Sequence, residues 1–227
     1  MAIRSLLNLI KICSCNNNEA VFNINVVGGK KYEEEYSKTH YNLASDLDKI
    51  VKHITEQIEQ SARFEKNDFK IKINLNHPSD TEIDESINKA NPCEGNITDI
   101  TGLLEDINQR DPTSHYLVLL PCDPSPYENN FKKVKMDIPY FFQSINVNCY
   151  KRAAILQVNN YHQLLATFGN SVLHLLGANL SDTAEVLNIH TGDGGIKSSL
   201  VINDEMVNSI LSSPCFPLNN NYSDYIN

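Results

Sequence analysis

A chain of 227 residues, 41% of them hydrophobic, is long enough to bury one sizeable core, and a single domain is expected. Its formal net charge of −9 argues against a nucleic-acid binder, which needs a basic face to displace counterions. No apolar run approaches the roughly 20 residues of a membrane-spanning helix, and the acidic surface fits a soluble protein that meets other proteins, peptides or small molecules.

The first residues resemble a shortened signal peptide: Arg4 precedes Ser5-Leu6-Leu7-Asn8-Leu9-Ile10, and small residues follow near Ser14. Asn8 and Lys11 interrupt the apolar stretch, so a disordered leader is an equal reading. Residues 1–19 are therefore set apart as a leader or disordered segment, 20–218 as the folded domain and 219–227 as a flexible tail.

Along the domain, strands and helices alternate. Val21 to Val27 alternates apolar and polar residues and runs into Gly28-Gly29, a strand and a turn. Glu33-Glu34-Glu35 reads as a solvated turn or helix start, with Tyr32 and Tyr36 as a possible contact surface. Leu43, Leu47, Ile50, Val51, Ile54 and Ile58 form one stripe of a long amphipathic helix. Phe69–Leu75 alternates strictly and is the clearest strand. A polar stretch with Pro78, Pro92 and Gly95 leads to a helix over 97–108, ended by Asp111-Pro112. Tyr116–Leu120 is apolar throughout, a strand buried on both faces. The polar, proline-containing segment 121–145 reads as surface loop, Ala153–Val158 as a strand, and Tyr161–Leu176 as a largely apolar helix stopped at Gly177. From Asn179 the chain reads as loop, with a short helix near Glu205–Leu211. The frequent asparagines, including Asn159-Asn160, read as loop filler. The glycine-rich run at 192–195 lacks the strand-to-helix setting of a phosphate loop and reads as a flexible loop.

Six cysteines (Cys13, Cys15, Cys93, Cys122, Cys149 and Cys215) contain no CxxC pair, which disfavours a zinc knuckle. Their even number suits disulfides in an oxidising compartment, and sequons at Asn96, Asn179 and Asn221 offer mild support for secretion.

One constellation carries chemistry. A buried strand, a long loop, a cysteine ahead of a second strand, and a helix ending His174-Leu175-Leu176-Gly177-Ala178 follow in order. This order resembles the reprolysin, or adamalysin-like, branch of the metzincin metalloproteases, whose central helix and turn carry HExxHxxGxxH. Set on that pattern, His174 falls at the second zinc ligand and Gly177 at the turn glycine, while Asn170, Ser171 and Leu180 replace the first ligand, the general base and the third ligand. Catalytic zinc needs three protein ligands and an open position for water, and a carboxylate takes the proton from that water. With one imidazole left of three, the resemblance implies a degenerate domain without catalytic residues or bound cofactor. Zinc enters only in an alternative in which His174 and His190, on a loop, converge with a further group; His162 lies too far along the same helix to share a metal.

The resemblance further implies a single α/β domain with a twisted, mostly parallel sheet of about five strands flanked by long helices. It implies a Cys149–Cys215 disulfide; a second pairing, Cys93 with Cys122, is suggested beside it. It places the family's methionine turn near Leu200–Ile202, where methionine is missing and Met206 falls late. A cleft is expected beside an edge strand above His174, filled by apolar side chains such as Leu180. The function implied is that of a secreted, monomeric pseudoenzyme that binds a protein or peptide, a type common in venoms, saliva and parasite secretions. The alternatives are an active zinc endopeptidase with an atypical ligand set and a structural domain whose likeness is accidental. By itself, a lone His on an apolar helix is most often a satisfied core residue.

Overall fold

The computed structural model describes residues 19–38, 42–61, 69–78, 81–90, 92–94, 96–127, 141–143, 149–179, 183–190 and 196–216. Its elements are β1 (Glu19–Val27), α1 (Gly29–Ser37), α2 (Leu43–Glu59), β2 (Lys70–Asn76), α3 (Thr81–Ala90), α4 (Ile97–Arg110), β3 (His115–Leu120), β4 (Phe141–Gln143), β5 (Arg152–Leu156), α5 (Tyr161–Leu176), β6 (Glu185–His190), β7 (Ile196–Val201) and α6 (Asp204–Ser212). Five strands form one sheet in the order β2-β1-β3-β5-β4, parallel except for β4 against β5. The β6–β7 hairpin is a separate antiparallel pair. The expected α/β architecture with a mostly parallel five-stranded sheet is thus present.

Alternation within each strand divides the core in two. Ala20, Phe22, Ile24 and Val26 of β1, with Leu117, Leu119, Ala153 and Ile155, face the larger cluster, which the apolar sides of α2 and α5 complete. Tyr116, Val118, Leu120, Ala154 and Leu156 face the smaller cluster, closed by Ile100, Leu103, Leu104 and Ile107 of α4. β3 is buried at every residue because helices cover both of its faces. The second layer does not extend over β1 and β2. Glu19, Val21 and Asn23 and, on the neighbouring strand, Lys70 and Lys72 are exposed, so half of one sheet face is open.

Most helix starts share one device. Asn42, Asn96, Asn160 and Asn203 cap α2, α4, α5 and α6, each side chain accepting a hydrogen bond from a backbone N–H of the first turn. Asn160, read from sequence as loop filler, is one of these caps. Three further readings are corrected. Tyr32 and Tyr36 are not a contact surface: one turn apart on α1, both are fully buried, and their hydroxyls donate to Leu156 O at 3.2 Å and Asp46 Oδ2 at 3.2 Å. The polar stretch after β2 contains α3, whose short apolar stripe, Ile83 and Ile87, is easily lost among charges. The loop-rich tail contains β6 and β7, and His190 ends a strand instead of lying on a loop.

Candidate functional site

The last turns of α5 carry the residues that suggested a zinc centre, and all are occupied in holding the core. Asn170 is 1% exposed. Its Nδ2 donates to Ala166 O at 2.8 Å and to Ala184 O at 3.1 Å, and its Oδ1 accepts from Ala184 N at 2.7 Å. The amide thereby serves the backbone just ahead of β6 as a neighbouring strand would. Ser171 donates to Thr167 O at 2.6 Å, one turn back in its own helix. His174 is fully buried, stacks on Phe141 with ring centroids 5.7 Å apart, and places Nδ1 3.2 Å from Ala178 O. Gly177 ends the helix at φ +122°, with Ala178 N donating to Leu173 O and Gly177 N to His174 O, the paired bonds of a Schellman cap. A Cβ at Gly177 would lie 2.8 Å from Ser213 Cβ, so the glycine also admits the end of α6.

This donor set does not fit zinc. A carboxamide whose oxygen already accepts a backbone N–H, a serine hydroxyl turned into its own helix and a histidine packed on a phenylalanine cannot converge on an ion. Among the described residues no group of three His, Cys, Asp or Glu side chains could hold a metal. Leu180 and the glycine-rich run at 192–195 lie outside the described residues. His162 places Nδ1 3.3 Å from Ser198 Oγ on the hairpin. The segment expected to form a methionine turn is the end of β7: Leu200 is buried against Gly169, and Ile202 N donates to Gln57 Oε1 at 2.9 Å. Met206 is buried in α6.

The topology points to a different place. From β1 the chain goes to β2 on one side and then crosses to β3 on the other, so the strand order reverses at the β1–β3 boundary. Sheets of this kind hold ligands in the crevice beyond the carboxyl ends of the strands at such a boundary. A crevice of about 570 Å³ lies there, bordered by Val26–Gly28, Leu119 and Pro121, with Lys30, His77 and Asp84 around its rim. Gly28 makes the approach possible: its φ is +77°, and a Cβ would lie 2.6 Å from Leu119 O. It precedes α1, which has neither a side-chain cap nor an acidic residue in its first turn. The crevice therefore combines apolar walls with the start of α1, which no side chain caps, and with Lys30 and Lys31, which could meet an acidic group of a small molecule; Glu33 and Asp84 line it too. Sequence reading recognised the strand and turn at Gly28-Gly29, but the third partner, Leu119, is distant in sequence.

Two disulfides brace the structure, Cys149–Cys215 and Cys93–Cys122. Cys13 and Cys15 lie outside the described residues. Beside Cys149 two cations are drawn inward. Lys151 Nζ donates to His174 O at 2.9 Å, satisfying a carbonyl at the end of α5; burial lowers the Lys151 pKa. Arg152 is fully buried, donating from Nη1 to Tyr150 O at 2.5 Å and from Nη2 to Asp111 O. Desolvation would raise the Asp111 pKa, but hydrogen bonds from Ser114, Thr113 and Tyr116 outweigh it and hold the group down to about 2. His115 is pushed down to about 4 by burial first and then by the charges of Arg152 and Lys151. Of the sequons, Asn96 caps α4 and Asn179 is exposed, its N–H 3.3 Å from Ser209 Oγ; Asn221 lies outside the described residues.

Comparison with known proteins gives a clear result. The family model MICSWaP, described as spore wall protein, matches residues 21–216. No curated protein and no solved structure matches the chain. The family match overturns the metzincin resemblance, and with it the reprolysin-type pseudoprotease that binds a peptide. It does not favour the zinc endopeptidase or the accidental structural likeness either. The physical reason for the mistaken resemblance is visible in α5, where a buried histidine and a capping glycine reproduce the spacing of a metal motif while serving a helix end. Matched over most of its length, the chain belongs to the spore wall protein family.

Proposed function

We propose that this protein is a component of the spore wall, carried there as a folded, disulfide-braced α/β unit. The observation that carries the reading is the family match over residues 21–216. The two disulfides support it, since such bonds persist in oxidising surroundings outside the cytosol. Among the described residues no helix is long and apolar enough to cross a membrane, so attachment to the wall would rest on contacts of the folded unit or on segments outside those residues. The test is immunogold labelling of sectioned spores, with antibody raised against the refolded chain, beside extraction of isolated walls. Gold over the wall and recovery of the chain from the wall fraction are expected. Gold confined to the cytoplasm, with the chain absent from washed walls, would overturn the reading.

A second role is favoured by the crevice at the β1–β3 boundary, which suits a small acidic ligand. Thermal melting of the chain with millimolar inorganic phosphate and with simple carboxylic acids tests it. A rise in melting temperature that Gly28→Ala abolishes is expected; an unchanged melting temperature with every compound removes this role.

A further inference from the structure

A second opening lies at the other end of the sheet, where β1 extends past the start of β3. The two strands are paired only from Ile24↔His115 onward, so residues 19–23 of β1 project beyond β3 and border a groove of about 490 Å³. Its floor is the part of the open face formed by Val21, Asn23 and Asn25 of β1 and Asn76 of β2. On that face, asparagines stand opposite one another in register, Asn23 with Asn74 and Asn25 with Asn76. Asn74 Nδ2 donates to Asn23 Oδ1 at 2.9 Å and Asn76 Nδ2 to Asn25 Oδ1 at 3.3 Å. Each rung uses one donor and one acceptor, so the Nδ2 groups of Asn23 and Asn25 on β1 and the Oδ1 atoms of Asn74 and Asn76 on β2 stay outside the rungs, a donor at one end of each and an acceptor at the other.

The far wall comes from the segments before β3 and β5. Thr113 donates its hydroxyl to Asp111 Oδ1 at 2.8 Å, and Ser114 also bonds Asp111, so both hydroxyl oxygens retain lone pairs. Tyr150, 41% exposed, tilts against His115 with ring centroids 5.4 Å apart, and the Cys149–Cys215 bond fixes the backbone beside it. His115 is 8% exposed and lines the groove. Its Nδ1 accepts from Lys151 N at 3.1 Å, which places the proton of the neutral ring on Nε2, and Nε2 has no partner among the described residues. None of the described residues lining the groove carries a formal charge, in a chain where 21% of residues do.

We propose that this groove is a binding site for a neutral polyhydroxylated chain, an uncharged oligosaccharide. Carboxamides meet neighbouring hydroxyls with a donor and an acceptor together, the His115 N–H supplies a donor inside the groove, and the Tyr150 ring offers an apolar face to the C–H side of a sugar ring. The absence of charge sets it against a sulfated or phosphorylated ligand, which would need Lys or Arg in contact. The site stands on the groove alone and does not depend on where the protein resides.

The test is calorimetric titration of the folded, disulfide-bonded chain with hexamers of β-linked glucose, β-linked N-acetylglucosamine, α-linked glucose and mannose, and with a sulfated heparin oligosaccharide as the charged control. At least one neutral hexamer is expected to bind, with an affinity unchanged between low and high salt. Tyr150→Ala and the exposed Asn76→Ala are each expected to weaken it about tenfold or more, while Lys197→Ala on the hairpin leaves it unchanged; melting curves verify that the variants are folded. No binding of any neutral hexamer, binding of the heparin fragment alone with loss in salt, or folded Tyr150→Ala and Asn76→Ala proteins that bind as the parent does would each overturn the proposal.

Discussion

The last turns of α5 and the open face of β1–β2 use the same side chain to opposite ends. At Asn170 the carboxamide is buried and its bonds to Ala166 and Ala184 hold α5 to the segment before β6. At Asn23, Asn25, Asn74 and Asn76 the carboxamides pair across two strands and keep bonding capacity free for solvent. The first set falls in a motif-like spacing and is part of the core; the second falls in ordinary strand alternation and forms an exposed recognition surface. A polar residue within an apolar helix has to be satisfied where it sits, so its presence reports burial before it reports chemistry.

The comparison can be broken or sharpened by substitution, taking the largest effect first. The Cys149–Cys215 bond stands between the two regions, with Ser213 against Gly177 on one side and the groove on the other. It spans a sequence separation of 66, and replacing both cysteines by serine is expected to lower unfolding stability by about 4 kcal/mol, measured by urea denaturation. Asn170→Leu leaves the N–H and C=O of Ala184 buried without their partner and is expected to cost roughly 3 kcal/mol in the same assay. A loss near zero would mean the amide is not part of the core.

His115 provides a pH signature on the groove side. Its folded pKa of about 4 lies below the ordinary value of 6.5, so the unfolded chain takes up the proton first. Above pH 6.5 the group contributes nothing; as pH falls from 6.5 to 4, stability declines, by at most about 3 kcal/mol, and levels off below that. The Arg152 and Lys151 charges beside it act in the same direction as its burial. His115→Gln is expected to flatten this part of the pH profile, and an unaltered profile would show that the ring titrates as an exposed group. Gly102→Ala in α4, where an added Cβ meets nothing within 4 Å, is expected to stabilise by about 0.5–1 kcal/mol. Smallest of all, Asn23→Ala on the open face is expected to stay within about 0.5 kcal/mol of the parent in melting experiments.

The sequence revealed much of the fold. Where apolar residues repeat over long stretches, as in α2 and in α5 from Tyr161 to Leu176, periodicity located the element closely. It failed where an element is short or held mainly by tertiary contact. α1, foreseen only as a turn or helix start, is fixed by two buried tyrosines, α3 by two isoleucines, and the β6–β7 hairpin leaves Leu187 and Ile189 about half exposed, so neither a clean alternation nor a helical stripe marks them. The crevice and the groove were not legible because each joins segments far apart, Gly28 with Leu119 and Asn23 with Tyr150. His174-x-x-Gly177 was legible as a pattern but not as a cause, since a helix end with a buried histidine and a Schellman glycine needs no metal to explain it.

The most direct test is to follow every asparagine side-chain amide by NMR, with hydrogen exchange, as the neutral oligosaccharide that binds is added. Slow exchange and no shift at Asn170, with fast exchange and shifts at Asn23, Asn25, Asn74 and Asn76 together with the His115 ring, is the predicted result. Shifts centred on Asn170 and His174 with the strand asparagines unmoved would contradict the account.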